Sequence, residues 1–240
     1  MNLKTRFVQF ISHPARALAV LLLLTLFTHL PTGFGSFVGD DYMQWAMLKG
    51  SPQLQELGFA KADPAKSLLQ KLQDGFHFFS AESGSLAAQK QYGNVLWWSG
   101  DDISMVPFRP LAAFTHWIDY TFFGDQLWLH QLHSLLYFLL LTWLLYRVYR
   151  VTIETDNTPE TDNTSERIFL LATAFLATLL FIVDFSLTRS FAWVVARNSY
   201  LACAIGIASL LCFIRWRREQ HAGFLLLSLT PLVTIGNALT

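Results

Sequence analysis

The sequence predicts an all-α protein: a polytopic bundle of transmembrane helices with a long extracytoplasmic first loop that carries interfacial amphipathic helices. Hydrophobic residues make up 53% of the 240-residue chain and charged residues only 14%, whereas soluble domains average about 25% charged residues. The apolar residues are concentrated in runs of roughly 18 to 24, the length that crosses about 30 Å of hydrocarbon. Both observations indicate an integral membrane protein.

The apolar runs predict membrane-spanning segments near residues 15–37, 127–148, 168–187, 191–214 and 222–240. The last run reaches the final residue with no polar exit. We therefore expect the chain to be one transmembrane domain and the N-terminal portion of a longer protein. The net charge is zero, which gives no reason to expect a nucleic-acid partner.

Basic residues near the ends of the spans predict the orientation, because Lys and Arg are enriched in cytoplasmic loops. They cluster before the first span, around the second loop and after the fourth span: Lys4, Arg6, Arg16, Arg147, Arg150, Arg167, Arg215, Arg217 and Arg218. All three clusters share one side if the N-terminus is cytoplasmic. Residues 38–126 then form an outward-facing loop and residues 149–167 a cytoplasmic linker. We expect the inner (plasma) membrane of a bacterium.

The first apolar run also has the order of a signal peptide, with a basic start and the small-residue site Gly33–Ser36. The later spans favour an uncleaved anchor. Both cysteines, Cys203 and Cys212, lie in the fourth span, about two and a half helical turns apart. Their separation predicts neither a disulfide nor a metal site.

Two short helices are predicted in the outer loop. Asp63–Pro64 has the pattern of an N-cap followed by a first helical residue, with apolar residues at helical spacing up to Gly75. Pro110 starts the second helix, which ends at Gly124. One face of it carries Leu111, Phe114, Thr115, Ile118 and Phe122. We expect both helices to lie in the membrane interface, with His116 and Asp119 on the wet face. Indole rings settle at the same depth, which fits Trp97, Trp98, Trp117 and Trp128.

An acidic pair, Asp40–Asp41, stands directly after the first span. Charged side chains are costly inside a bilayer, so two adjacent carboxylates there either lie at the interface as a solvated pair or serve a function. The second acidic pair, Asp101–Asp102, has no span beside it, which favours an ordinary loop turn.

Five short motifs follow one another between residues 15 and 215. They are Gly39-Asp40-Asp41-Tyr42, Phe108-Arg109-Pro110-Leu111, Phe123-Gly124-Asp125, His130-Gln131-Leu132-His133 and Phe191-Ala192-Trp193-Val194-Val195-Ala196-Arg197-Asn198. In order and spacing the set resembles the polytopic glycosyltransferases of the GT-C type, including the protein O-mannosyltransferase-like and lipid A aminoarabinose transferase-like groups. The family's second span often reads His-x-x-Asn with a further His four residues later. This chain has His133 and Tyr137 at those positions.

The resemblance implies transfer of a sugar from a polyprenyl-phosphate-linked donor to an acceptor at the outer face of the membrane. It implies that Asp41, or else Asp40, is the base that deprotonates the acceptor, or that the pair holds a divalent metal, as in some family members. Adjacent side chains on a helix point about 100° apart, so only one carboxylate is expected to reach the reacting hydroxyl. The resemblance favours Asp41.

The resemblance also suggests Arg109 and Arg197 as phosphate-binding residues, because a guanidinium donates two parallel hydrogen bonds to phosphate oxygens. Arg109 precedes the start of a helix, where backbone N–H groups favour anions. The alternative for Arg109 is an ordinary contact with a lipid headgroup. Arg197 lies six residues into the fourth predicted span, about 9 Å deep. The alternative for Arg197 is that its long side chain extends from this depth back to the membrane surface.

Further candidates for substrate binding are Asn198, His130 and His133. The two histidines share a helix face with Tyr137. Histidines at this spacing can bind a metal, but the sequence identifies no third ligand. Hydrogen bonding inside the bundle is the other interpretation.

Two other functional classes remain open. A transporter would place polar or broken helices near the midplane in both halves of an internal repeat, and no repeat relates the spans. A non-catalytic or degenerate protein of polysaccharide or lipid assembly would tolerate Asp41→Asn. The glycosyltransferase interpretation accounts best for the motif order.

Overall fold

The computed structural model describes residues 10–35, 37–49, 65–76, 78–79, 85–93, 95–105, 107, 109–156, 164–184 and 193–229. These residues form helices, turns and loops, and β pairing among them is limited to the isolated antiparallel bridge between Phe79 and Met105. The prediction of an all-α protein is confirmed for this part of the chain.

The helices are labelled here in chain order. Their bounds are α1 Pro14–His29, α2 Asp40–Lys49, α3 Leu68–Asp74, α4 Ser85–Gln91, α5 Pro110–Phe122, α6 Leu127–Asp156, α7 Thr164–Ile182, α8 Arg197–Glu219 and α9 Ala222–Ser228. Two 3₁₀ segments adjoin them: Leu30–Phe34 continues α1, and Val194–Ala196 leads into α8.

Three helical segments in the described part of the chain are long and apolar enough to cross a membrane: Pro14–Phe34, Leu127–Ile153 and Val194–Glu219. They coincide with the first, second and fourth predicted spans and support an integral membrane protein. Helix α7 covers residues 168–182 of the third predicted span but is not one of the three, and residues 185–187 of that span lie outside the described part. Of the fifth predicted span, the structure describes only α9 and Leu229.

The cytoplasmic linker predicted at residues 149–167 is shorter than expected. Helix α6 continues to Asp156 and α7 begins at Thr164, while residues 157–163 lie outside the described part. Val151 and Ile153 extend the apolar pattern past position 148, which explains the longer helix. Its end is tied to α8, because Arg218 Nη2 donates to the Val151 carbonyl at 2.8 Å.

Helix α6 is central to the packing, since α1, α7 and α8 all contact it. Buried threonines inside this layer bond to their own helices: Thr25 donates to the Leu21 carbonyl and Thr142 to the Phe138 carbonyl. Their hydroxyl oxygens are also 3.2 Å apart, which links α1 to α6. Polar groups are thereby satisfied without water, as a bilayer requires.

The first outer-loop helix starts later than predicted. Asp63–Pro64 lie outside the described residues, but the following residues Ala65 and Lys66 are not helical. Helix α3 begins at Leu68 instead, with Ser67 as its N-cap in a reciprocal pair with Gln70. The capping box supplies the hydrogen bonds for the free N–H groups, which explains this start. The predicted end at Gly75 is confirmed.

Helix α5 starts at Pro110 as predicted, but its polar face lies inside the protein and not in water as predicted. His116 and Asp119, expected on the wet face, are fully buried. Leu111, Phe114 and Phe122 are exposed instead, the last by 72%. The polar face turns inward because it binds polar groups on α6 and α8. The apolar face is left at the surface, where lipid is the favourable solvent.

Candidate functional site

The acidic pair occupies the first turn of α2, where the helix dipole favours negative charge. Asp41 is fully buried. Its carboxylate accepts hydrogen bonds from the backbone N–H groups of Val38 at 3.0 Å, Val195 at 2.8 Å and Val194 at 3.4 Å. Burial raises the pKa of Asp41, and the three N–H donors oppose that rise. Asp41 therefore fastens the start of α2 to the turn that precedes α8.

The neighbouring Asp40 has a different environment. It is half-buried, and burial raises the pKa of its carboxyl group. Of the two acidic residues, Asp40 is the one left accessible.

Arg197, the first residue of α8, is fully buried inside the protein. Its Nη2 lies 2.6 Å from Asp119 Oδ2 and donates to the His130 carbonyl at 3.0 Å. Its Nε donates to Ser134 Oγ at 3.0 Å. The alternative in which Arg197 reaches back to the membrane surface is wrong, because a carboxylate beside it satisfies the charge internally.

Asp119 is the centre of this cluster, and sequence reasoning missed it. Besides the ion pair with Arg197, its Oδ1 lies 2.5 Å from His133 Nδ1, and its Oδ2 lies 3.9 Å from His130 Nδ1. The available signal was the spacing of His116 and Asp119, which puts both on one face of α5 opposite its apolar stripe. In a membrane protein, such a face can point into the bundle.

The two histidines of α6 form hydrogen bonds inside the protein, which agrees with the interpretation that they bond within the bundle. His130 is buried, with its Nε2 at 2.9 Å from the Gly124 carbonyl, and His133 binds Asp119. The His133 ring lies 4.8 Å from the ring of Tyr137. Among the described residues, no three His, Cys, Asp or Glu side chains are grouped to hold a metal ion.

His116 is the least satisfied member of the cluster. It is fully buried, and within the described part of the chain neither ring nitrogen has a hydrogen-bond partner. Burial lowers its pKa well below the ordinary value, and the charge of Arg197 lowers it further. The ring is therefore neutral and packs against Phe76 at 6.1 Å between centroids.

Tyr120 connects this cluster with the acidic pair. Its ring lies 4.8 Å from that of His130. Burial raises the pKa of Tyr120, and the negative charges of Asp41 and Asp119 raise it further. Asp41 accepts from Val195, two residues before Arg197, and Arg197 pairs with Asp119, so these three charged side chains lie in the same region of the molecule.

Arg109 lies at the N-cap position of α5, with its guanidinium 5.3 Å from the centre of the Phe76 ring. Burial lowers the pKa of this guanidinium, and its Nε has no hydrogen-bond partner among the described residues. Arg109 and His116 flank the same aromatic ring. No direct contact joins Arg109 to Arg197 in the described part of the structure.

Asn198 follows Arg197 and is half-buried. The sequence candidates thus separate into three groups: Asp41 and Arg197 with their internal partners, the partly exposed Asp40, and Arg109 beside Phe76. Comparison with family models, with curated proteins and with solved structures finds no match to this chain.

Proposed function

We propose that the protein is a membrane glycosyltransferase of the GT-C type, which moves a sugar from a polyprenyl-phosphate-linked donor to an acceptor at the outer face of the membrane. The observation that carries this proposal is the bond of Asp41 to Val194 and Val195. It joins the acidic pair to the turn that ends at Arg197, so two motifs that are far apart in the sequence meet at one end of the bundle.

In this proposal Asp40 is the base, and Asp41 is a positioning residue. A base needs an unoccupied carboxylate within reach of the acceptor hydroxyl, and the carboxylate of Asp41 is already bound by three N–H groups. Arg109 stands at the start of α5 and would meet a phosphate there. Arg197 would bind phosphate only by exchanging Asp119 for it, because that carboxylate now neutralises the guanidinium.

The proposal includes the arrangement in the membrane. The polytopic bundle has a cytoplasmic N-terminus, residues 38–126 face outward, and the membrane is the bacterial plasma membrane. The basic residues at the span ends support this orientation. The acidic pair, α5 and the start of α8 then all face the outer surface.

The test is sugar transfer by the protein in lipid nanodiscs, with a panel of polyprenyl-phosphate-linked hexoses and aminopentoses and a bacterial envelope extract as acceptor. Asp40→Asn should reduce turnover by at least about a hundredfold, since a base contributes about 10²–10⁴ to rate. The matched control is Asp102→Asn in the exposed second acidic pair, which should retain full turnover. Equal turnover in both variants contradicts the role of Asp40.

A second candidate is a non-catalytic protein of envelope assembly that shares this architecture. The observation in its favour is that Asp41 and Arg197 are both occupied by groups of the same chain. It predicts binding of the lipid-linked donor without transfer. Wild-type protein that binds the donor panel and transfers none of the sugars would favour this candidate.

A further inference from the structure

A groove runs between the end of the first membrane-crossing segment and the start of α6. Leu30, Gly33 and Phe34 form one wall, and Trp128, Leu132 and Leu135 form the other. The cavity has a volume of about 330 Å³. It lies at the membrane end to which the acidic pair also belongs, because the pair follows one wall within a few residues.

The interior of the groove is apolar. Two polar residues line the groove, His29 and Gln131. The Nε2 of His29 lies 3.3 Å from the Ile182 carbonyl, and the centre of its ring lies 4.6 Å from the centre of the Phe138 ring. Apolar cavities of this kind stay dry and take apolar ligands, because water needs several polar partners to enter.

The rim of the groove continues into the lipid-facing surface. Phe34 is 84% exposed and Trp128 is 53% exposed, and both belong to segments that are long and apolar enough to cross a membrane. Trp128 stands in the first turn of α6, where its Nε1 donates to Gln126 at 3.2 Å. An indole at the end of a span is typical of the headgroup boundary. The opening therefore faces hydrocarbon just below that boundary.

We propose that this groove binds one acyl chain of a bilayer phospholipid. Its volume equals about eleven water molecules at roughly 30 Å³ each, which suits a segment of one hydrocarbon chain and is too small for a whole lipid. Phospholipid chains surround the protein in large excess, so mass action favours them over any scarce lipid.

The bound acyl chain would pack against the stretch of α6 whose other side contacts Asp119 and Arg197. The wall from Trp128 to Leu135 is the same helical stretch that carries His130, His133 and Ser134. Those three residues contact Asp119 or Arg197 on the inner side. Filling the groove on the outer side restricts movement of this stretch, and the lipid composition would then influence the cluster.

The decisive experiment is photocrosslinking of the full chain in nanodiscs of phosphatidylglycerol and phosphatidylethanolamine that carry a diazirine on one acyl chain. Mass spectrometry of the peptides should show label at residues 30–34 and 128–135 several-fold above the labelling of other exposed lipid-facing residues, such as Leu23. Uniform labelling of the lipid-facing surface overturns the proposal.

Groove-filling variants supply the control. Gly33→Phe is tolerated by the backbone, because a Cβ at that position would meet Gln131 Cβ at an ordinary 3.7 Å. Gly33→Phe and Leu132→Trp should each lower groove labelling at least about tenfold. Leu140→Trp, at an exposed position two turns beyond Leu132 on the same helix, should leave it unchanged.

Unlabelled polyprenyl phosphate at a few mole per cent should not reduce the groove labelling. If it does, the groove belongs to that lipid and the phospholipid assignment fails. None of these measurements depends on sugar transfer, so the groove and the proposed enzymatic activity can fail separately.

Discussion

At the scale of single residues, the Asp119–Arg197 ion pair places two opposite charges in the protein interior. Both side chains are fully buried, and His130, His133 and Ser134 are among the residues that contact them. A buried pair gains little over an apolar pair of the same shape, because both ions lose their hydration. Loss of one partner is costly, because the other charge is then buried alone.

We predict that Asp119→Ala lowers the free energy of unfolding by about 3–5 kcal/mol, since it leaves Arg197 uncompensated. The double variant Asp119→Leu/Arg197→Met should recover most of that loss. Thermal unfolding in detergent micelles, followed by circular dichroism, measures both. The control is Asp101→Ala, which removes an exposed ion pair with Lys90 and should change the unfolding temperature little. An equal loss of stability in Asp119→Ala and Asp101→Ala would contradict the buried Asp119–Arg197 pair.

His116 predicts a specific loss of stability in acid. Burial holds its pKa well below the ordinary 6.5, so only the unfolded chain takes up a proton as the pH falls through 6.5. The stabilisation is complete above that pH and declines below it, by up to about 1.4 kcal/mol per pH unit. His116→Phe should flatten the stability profile between pH 6.5 and 5, whereas His13→Phe at an exposed position should not. Parallel profiles for His116→Phe and wild type would disprove this origin.

Asp41→Asn should destabilise the protein by roughly 1–3 kcal/mol, because the amide presents an NH₂ group to backbone donors that need an acceptor. Asp40→Asn has no such effect in this arrangement. Comparison of the two unfolding temperatures separates the positioning residue from the proposed base. A larger loss in Asp40→Asn would reverse the two roles.

At the scale of elements, α5 shows why an amphipathic pattern does not fix its own direction. Its sequence predicted the helix, its start at Pro110 and its two faces, because these depend on local spacing. The choice of inner face depends on Arg197 and His133, which are remote in sequence. Local patterns could not show that contact. The same limit hid Asp119, whereas Arg197 was suggested by the family resemblance and by its position in an apolar run.

Cysteine accessibility tests the orientation of α5. In a background without Cys203 and Cys212, Phe122→Cys should react slowly with a membrane-impermeant maleimide in nanodiscs, because lipid covers that face. Thr121→Cys, the adjacent residue and also exposed in the protein, should react several-fold faster. Detergent that removes the lipid should bring the two rates together. Equal rates in nanodiscs would place the apolar face of α5 in water.

At the scale of the whole molecule, composition and run length were enough to predict helices that cross a membrane. Span ends were less predictable. The apolar residues Val151 and Ile153 already indicated a longer α6, but the 3₁₀ segment before α8 contacts Asp41 through Val194 and Val195, and hydropathy does not report such contacts. The acidic pair was found because charge is conspicuous beside an apolar run, but the partners of Asp41 are backbone groups, which sequence does not mark.

The proposed orientation gives a whole-molecule prediction for intact cells. A cysteine in place of Asp102 in the first loop should be labelled from outside by an impermeant maleimide. A cysteine in place of Thr152, exposed near the end of α6, should be labelled only after the cells are opened. The reverse pattern would invert the topology and put the acidic pair on the cytoplasmic side.

The order of Asp119 and Arg197 along the chain bears on how the protein enters the membrane. Asp119 is synthesised first, so in the proposed orientation it has already been translocated when α8 leaves the ribosome. An arginine within a span raises the cost of insertion by roughly 2.5–3.5 kcal/mol at its centre. Pairing with the Asp119 carboxylate offsets part of that cost only if α8 inserts with Arg197 on the outer side of the membrane. Reverse insertion of α8 alone would leave the two charges on opposite sides of the bilayer, where this ion pair could not form.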